Sequence, residues 1–336
     1  MRPIAPRTAV SSQMSRPRTE TSTAARPDSR GAQGGRREHA EQPVRPHRLQ
    51  LFLTAVLVFG PMLALGFALV RFWGHGVGLR DVILAVALYV VLGHGVTIGF
   101  HRLLAHRSFE ATRPLKIALC VAGSFAFQGG VIGWVAQHRR HHSFTERPGD
   151  PHSPLEYGSG FGAHLRGLWH AHMGWFFDHQ PNCERRFASD LRTDRDLVVI
   201  DALFPLWCVL SLALPFGLGW VIGGELAAGL TALLWAGAVR VCLVQHLTWS
   251  VNSICHTFGK RPFHTRDHST NFAPLAVLTM GESWHNAHHA FPQSARHGVD
   301  AGQLDSSAAL IRLFERAGWV RNPRWPEAAL LARRRV

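Results

Sequence analysis

The sequence predicts an all-α integral membrane protein with four transmembrane helices and a cytoplasmic helical cap that carries clustered histidines. Three observations predict this fold: long apolar runs in a chain of 336 residues, an uneven distribution of Lys and Arg around those runs, and histidines at helical spacing. An uncharged run of about 20 residues is long enough to cross a bilayer as a helix. The runs and the charges together give the number of spans.

Residues 1–48 differ in composition from the rest of the chain. They contain ten Arg and four acidic residues among many Ser, Thr, Pro and Gly, with few large apolar side chains. Such a segment buries too little apolar surface to offset its ordering entropy, so we predict a disordered basic N-terminal tail. It is not a usual signal peptide, because no apolar core follows a short basic start. We divide the remainder into a membrane domain, 49–300, and a cytoplasmic helical C-terminal tail, 301–336.

Five apolar runs follow the tail, at residues 51–70, 82–100, 117–135, 197–214 and 226–247. Lys and Arg number ten in the tail, twelve in 101–196 and eleven in 246–336, but two in 71–81 and none in 215–225. Since short loops rich in Lys and Arg stay cytoplasmic, four spans with both termini inside fit this pattern and five do not. The run at 117–135 is therefore expected to lie along the interface or against the bundle. The cysteines form no CxxC pair, which fits a reducing cytoplasm or a membrane interior.

Nine histidines form four clusters close to the ends of these runs. The clusters are His101 with His106, then His138, His141 and His142, then His256 four residues after Asn252, and finally His285, His288 and His289. Positions i, i+3 and i+4 lie on one face of a helix, so the second and fourth clusters can each direct three imidazoles to one point. The clusters can share a site only on one side of the membrane, which independently argues that residues 117–135 do not cross.

Nine imidazoles exceed what one metal ion accepts, so the sequence predicts two ions. Imidazole binds Fe, Zn, Cu and Ni, and the ligand type leaves the metal open. A structural zinc site uses four ligands, and no HExxH string is present. Ferritin-like proteins need two Glu-x-x-His motifs, whereas we find only Glu282-Ser-Trp-His285. The predicted site is rich in nitrogen. His94 is expected to be buried, and His172, His264, His268 and His297 to lie at the surface or behind the ligands.

From about Tyr89 to Gly298 the chain resembles the membrane fatty-acyl desaturases of the stearoyl-CoA desaturase type, especially their bacterial members. The segments HRLLAHRSF, WVAQHRRHHSF followed by DPHSP, HMGW, WSVNSICHTFG and GESWHNAHHAFP occur in the family's order. The resemblance implies two iron ions and O2 as cofactors, the nine histidines as iron ligands and Asn252 as a ligand through water. It implies a cis double bond, at Δ9, in a saturated acyl chain. It also implies a substrate tunnel at Tyr89, Gly93, Trp134 and Trp175.

The resemblance leaves the acyl carrier open. Animal acyl-CoA enzymes have Arg-Asp before the second cluster and Arg-Lys after HxGW, where this chain has Ala136-Gln137 and Asp178-His179. Fewer cations weaken phosphate recognition, so the substrate is either an acyl-CoA or an acyl lipid of the membrane. The sequence has no HPGG haem segment and no GxGxxG loop. We therefore expect a separate donor, a ferredoxin, a cytochrome or an NAD(P)H-flavin reductase, on the basic face.

Two other functions remain possible at this point. A membrane hydroxylase or alkane monooxygenase uses similar histidine clusters, although NSICHTFG and HNAHH favour desaturation. A histidine-rich metal transporter should carry ligands near the middle of the membrane; the apolar runs offer His94 and Asp201, and neither has an evident partner. No nucleic-acid partner is expected, since zinc-finger spacing and basic heptad helices are missing from the sequence. We expect a bacterial cell membrane protein whose metal site faces the cytoplasm.

Overall fold

A computed structural model describes residues 47–178 and 183–336, and most of the described residues are helical. The predicted basic tail therefore lies outside the described residues, apart from His47 and Arg48, and the proposed division at residue 300 stays a prediction. The helices, in chain order, are α1 (Arg48–Arg71), α2 (Leu79–Ala105), α3 (Arg113–Ser124), α4 (Val131–Phe144), α5 (Phe161–His172), α6 (Glu184–Phe187), α7 (Arg195–Ala202), α8 (Phe204–Gly223), α9 (Leu226–His256), α10 (His285–Ala290), α11 (Ser306–Arg316) and α12 (Ala328–Arg334).

Four of these helices, α1, α2, α8 and α9, are long and apolar enough to cross a membrane. The predicted count of four spans is confirmed. Two spans are not purely α-helical: α2 is π-helical over Gly95–Ala105, and α9 is π-helical over Leu233–Val239. A π-helix bonds residue i to residue i+5 and so changes the direction in which later side chains point.

The run at 117–135 folds as parts of α3 and α4, which have 12 and 14 residues. Helices of that length measure about 18 to 21 Å, well short of the hydrocarbon core of about 30 Å. α3 packs tightly on the π-helical end of α2, where a Cβ added at Gly95 would overlap the backbone of Ala122 and Gly123. The expectation that this run lies against the bundle is confirmed, with a turn between the two helices.

The bounds of the next span differ from the prediction. The chain breaks at Leu203, crosses as Phe204–Gly223, and leaves only residues 224–225 before α9. Pro215, which the sequence places in the connection at 215–225, lies inside the helix. Membrane helices tolerate proline because neighbouring groups satisfy the freed backbone. Gly219 allows close packing, since a Cβ there would overlap Ala232; small residues commonly occupy such contacts between membrane helices.

Two ionisable residues near the spans have structural partners. Asp201 lies in α7, outside the spans, and its carboxylate accepts a hydrogen bond from Ile132 N at 2.8 Å at the start of α4. Arg240, in α9, is buried and donates to Ser211 O at 2.9 Å and Ala236 O at 3.1 Å. Because both residues hold helices together, neither forms a metal path through the bundle.

The C-terminal residues pack against the membrane domain. Strand β1 (Glu110–Ala111) pairs antiparallel with β2 (Val320–Arg321). Ile311 of α11 is fully buried in a core that also contains residues from α2, α3 and α4. Together, β2 and α11 cover the end of α2 that carries the first two clustered histidines.

Candidate metal centre

The π-helical end of α2 brings the first cluster together. His106 N donates to His101 O at 3.0 Å, which is the i to i+5 bond of a π-helix. The rings of His101 and His106 are therefore neighbours, with centroids 4.8 Å apart. In a regular α-helix, residues five apart point about 140° from each other, given 3.6 residues per turn. The π-helix thus makes this pair usable at one site.

Three other elements supply the remaining clustered histidines. α4 carries His138, His141 and His142 one turn apart, as its spacing predicts. α9 ends at His256, and the short helix α10 begins at His285. The nine side chains converge in two neighbouring groups, which we call the five-histidine group and the four-histidine group. Their members are His101, His106, His138, His142 and His288 in the first, and His141, His256, His285 and His289 in the second.

The nitrogen geometry within both groups fits metal ions. His106 Nε2 lies 2.8 Å from His138 Nε2, and His142 Nε2 lies 3.0 Å from His288 Nε2. In the four-histidine group, His256 Nε2 lies 3.0 Å from His285 Nε2. Two nitrogens bound at right angles to one ion, each at about 2.0–2.1 Å, would be about 3 Å apart. Each group therefore has the spacing of one coordination shell.

Burial keeps these imidazoles in the state that metals bind. Burial is the main cause that lowers the pKa of His138, His142, His285, His288 and His289 well below the usual value, with neighbouring imidazoles adding to the effect. Neutral imidazole is the form that binds a metal. Among the described residues, Nε2 of His141 and Nε2 of His289 are buried without a hydrogen-bond partner, and both rings belong to the four-histidine group. A metal ion in that group would satisfy these two nitrogens, so the residues present fit such an ion.

Carboxylates behind the groups orient several rings. Because an ionised carboxylate only accepts, Nδ1 of the ring must donate, which leaves Nε2 for the metal. His141 Nδ1 donates to Asp150 at 2.9 Å, His256 Nδ1 to Glu146 at 3.0 Å and His289 Nδ1 to Asp267 at 2.9 Å. His101 Nδ1 pairs in the same way with Glu282.

Two of these carboxylates, those of Glu146 and Asp150, stay ionised. Burial raises the pKa of Glu146, but hydrogen bonds from His256 and His268 outweigh it and hold that pKa below its usual value. The same balance, with His141 as the main partner, holds the pKa of Asp150 far below its usual range. The carboxylates therefore act as fixed negative charges beside the imidazoles and are absent from both histidine groups themselves.

A buried ion-pair network closes the five-histidine group from behind. Arg102 is fully buried and donates to Glu282 and Asp305, both at 3.0 Å, and to Ala295 O. His297, expected at the surface or behind the ligands, is fully buried, and its ring centroid lies 4.5 Å from that of His288. This network fixes Glu282 and hence the ring of His101.

An apolar cavity of about 600 Å³, here called the inner cavity, reaches the metal centre through the bundle. His101 and His138 line it from the five-histidine group, and His285 lines it from the other. The predicted tunnel residues Tyr89, Gly93 and Trp134 also line this cavity. A Cβ added at Gly93 would overlap the Met280 side chain, so the inner cavity is narrow at this point.

A larger space of about 1030 Å³, here called the outer cavity, adjoins the inner one. The two share Trp134, His138, Thr248 and Asn252 in their linings, so they adjoin at these four side chains. Trp175, predicted as a tunnel residue, lines the outer cavity and not the inner one. Asn252, predicted to act through water, lines both cavities.

Four candidate spans together with two all-histidine groups define the class of protein, a membrane protein whose clustered histidines suit two metal ions. A family model described as fatty acid desaturase matches residues 81–324. The chain belongs to this fatty acid desaturase family, and it is an oxidoreductase that acts on fatty acyl chains. The resemblance stated from the sequence motifs is confirmed.

Named relatives cover most of the chain. The hex-5-enoyl-[acyl-carrier protein] acetylenase of Moorena producens (strain JHB) is 36% identical over 271 residues, 80% of this chain and 84% of that protein. The acyl-CoA C20 Δ5-desaturase of Anemone leveillei is 39% identical over 237 residues, covering 69% and 70%. The sn-1 stearoyl-lipid 9-desaturase of Anabaena variabilis is 36% identical over 242 residues, covering 71% and 82%.

Sequence reasoning missed the residues behind the ligands. Glu282 was noticed only as part of a Glu-x-x-His string, while Glu146, Asp150 and Asp267 were given no role. A usable signal was their position, since each follows or precedes a histidine cluster in a chain with only 22 acidic residues. Met280 gave no signal, because its place opposite Gly93 depends on the fold.

Proposed function

We propose that this protein is an O2-dependent di-iron desaturase that introduces a cis double bond, at Δ9, into a saturated acyl chain of an acyl-CoA or acyl lipid. The observation that carries the proposal is that the inner cavity contacts histidines of both groups. An acyl chain lying in it would present its methylenes to both metal positions. An apolar cavity with a few convergent polar groups is the usual form of such a site.

We further propose that the nine histidines hold two iron ions, five on one and four on the other, and that Asn252 holds the second through water. Iron bound there would supply the activation of O2 that unactivated methylene C–H bonds require. The protein's own residues do the rest. Glu146, Asp150, Asp267 and Glu282 orient the ligands, and the apolar lining excludes water from the reacting carbons.

The inner cavity sets the position of the acyl chain in this proposal. Tyr89 and Gly93 line it, one helical turn apart on α2, and Trp134 lies beside His138 with its ring stacked on that imidazole at 5.1 Å. A chain that stops at Tyr89 and Gly93 would always bring the same carbons to the metal centre. Fixed depth would then determine the position of the double bond.

Orientation and electron supply belong to the same proposal. We place both termini and the metal centre on the cytoplasmic side of a bacterial cell membrane, because the predicted cytoplasmic segments hold most of the Lys and Arg. A separate ferredoxin, cytochrome or flavin reductase would dock there. A polar cavity lined by His106, His142 and His289, with Arg107 and Arg139 beside them, offers it a short approach to both groups.

Expression in a host that lacks its own desaturase, followed by double-bond mapping of total fatty acids, tests the reaction. We expect Δ9 cis monoenes. Hydroxylated chains without monoenes would instead support the hydroxylase alternative, and saturated chains alone, with a competent donor, would contradict the proposal.

Iron counting tests the metal assignment. We expect two iron ions per chain in the intact protein and about one in His142→Ala and in His289→Ala, which remove a ligand from different groups. His164→Ala is the matched control, because His164 is exposed and bonds only Gly160 O. Two ions retained in both ligand variants would contradict the assignment.

A further inference from the structure

The outer cavity has a neutral lining. It consists of glycines, one phenylalanine ring, and amide, indole, hydroxyl and imidazole side chains, including Gln50, Gln128, Gln137 and Trp249. Among the described residues that line it, none is Lys, Arg, Asp or Glu. Recognition of phosphate groups uses several cationic donors, typically Arg and Lys. The lining therefore suits a carbonyl and hydroxyl-rich group and not a cluster of phosphates.

The guanidinium at the rim of this cavity has acidic groups near it. Arg139, which lines a different cavity, donates to Asp190 at 2.6 Å and to Leu104 O at 2.7 Å. Arg140 reaches the rim, where its Nη1 lies 3.5 Å from Gln137 Oε1, and Asp150 and Glu156 lie within its electrostatic reach. A polyphosphate at this rim would meet these carboxylates as well as the guanidinium.

The outer cavity contains buried neutral donors for a ligand. Trp249 is 3% exposed, lines the cavity, and its indole N–H has no hydrogen-bond partner among the described residues. His152 is 5% exposed and lines the same cavity, and within the described part of the chain its Nδ1 has no hydrogen-bond partner. A buried donor without a partner costs about 1–3 kcal/mol, so a ligand oxygen at these atoms would be favourable.

The elements around the outer cavity carry exposed apolar side chains, as lipid-facing elements do. α1, one of the four candidate spans, contributes Gln50 and Thr54 to the cavity from its first turns, and Phe52 on its opposite face is 63% exposed. α5 leads directly into the segment that carries Trp175 and Phe176. On α5 the exposed residues Phe161, Leu165 and Trp169 recur every four positions and form one bare apolar stripe. Such a stripe on a short helix with polar opposite residues is typical of a helix lying in the membrane interface.

We infer that the substrate is an acyl chain esterified in a membrane lipid, which enters the outer cavity sideways from the leaflet between α1 and α5. This inference rests on the proposed desaturase function and chooses between its carriers. The ester carbonyl and glycerol oxygens would lie against the amides and the Trp249 N–H. The acyl chain would continue past Trp134 into the inner cavity and reach both histidine groups.

The test compares carriers on the iron-loaded holoenzyme. The full chain is placed in nanodiscs with a competent electron donor and given labelled stearoyl groups as 1-stearoyl-2-oleoyl-phosphatidylcholine, as stearoyl-CoA or as stearoyl-acyl carrier protein. We expect at least tenfold more monoene from the lipid than from either thioester. Equal or faster turnover of a thioester would overturn the inference while leaving the desaturase function intact. No product from any carrier would overturn the proposed function itself.

A variant at the rim tests the neutral lining directly. Gln137→Arg adds a cation to the outer cavity, and we expect it to raise the ratio of stearoyl-CoA to lipid turnover at least tenfold. Gln303→Arg is the matched control, because Gln303 lies near Asp300, away from this cavity. An unchanged ratio in Gln137→Arg would overturn the assignment of the outer cavity to the carrier group.

A variant on α5 tests the lateral route. Leu165→Glu places a charge on the bare stripe, and we expect it to lower lipid turnover at least fivefold at unchanged iron content. Leu313→Glu on α11 alters a residue of similar exposure, 56% against 52%, outside the proposed interface. Unchanged turnover in Leu165→Glu would overturn entry from the leaflet beside α5.

Discussion

Glu146 offers the sharpest test of how the metal centre is held. Its carboxylate accepts a hydrogen bond from His256 Nδ1 at 3.0 Å and from His268 N at 2.8 Å. His256, at the end of α9, belongs to the four-histidine group. Removing such a partner of a metal-binding imidazole weakens metal affinity by about 10–100-fold, or about 1.4–2.7 kcal/mol. Glu146→Gln keeps an acceptor but removes the charge, so we expect the lower end of that range.

Glu146→Ala also leaves the buried His256 Nδ1 donor unsatisfied, and we expect the upper end. The measurement is competition with a chelator, followed by iron counting, at pH 7.5. Asp196→Asn is the control, because Asp196 pairs with Arg113 and Lys116 on α3, away from the histidines. The four-histidine group should lose its ion first in both Glu146 variants. Equal affinity in wild type and Glu146→Ala would refute the role of the carboxylate in holding that ring.

Three further predictions follow from the described geometry. Gly93→Phe should shorten the preferred acyl chain, because the new side chain would fill the inner cavity beside Met280, and an unchanged product profile by gas chromatography would contradict this. Metal-free protein should melt at a lower temperature at pH 5.5 than at pH 7.5, because buried histidines such as His138 and His285 have a lowered pKa in the folded chain. Below pH about 6.5 the unfolded chain therefore binds more protons, and each such histidine lowers the free energy of unfolding by about 1.4 kcal/mol per pH unit. A constant melting temperature would count against their burial. A cysteine placed at Gln137 should be labelled only from the cytoplasmic side, and labelling from the opposite side would contradict the orientation.

The convergence of the nine histidines could be predicted from sequence because it depends on spacing and on sidedness. His138, His141 and His142 share a face in any α-helix, and the requirement for a common side of the membrane excluded a crossing at 117–135. The partners behind them could not be predicted in the same way. Glu146 meets His256 across 110 positions of sequence, and only the packed fold brings the two together.

The predicted bounds of the third span, α8, were wrong for a different reason. Pro215 and the glycines after it are turn signals in water-soluble proteins, so the sequence predicts that the run ends at residue 214. In a membrane helix, small residues instead permit close contact with a neighbour, as Gly219 does with α9. The π-helical end of α2 also escaped detection, because an apolar run shows no difference between 3.6 residues per turn and a wider coil.

That π-helical end links two parts of the enzyme that are usually considered separately. Tyr89 and Gly93 stand on the regular part of α2, and His101 and His106 stand on Gly95–Ala105. The wider coil sets the angle between the proposed stop of the acyl chain at Tyr89 and Gly93 and the proposed ligands. In a regularly wound helix, loss of one residue turns one part by about 100° relative to the other. Insertions and deletions between Gly95 and Phe100, before the first clustered histidine, are thus a route by which related chains could change which carbons meet the metals, with His101 and His106 kept as neighbours.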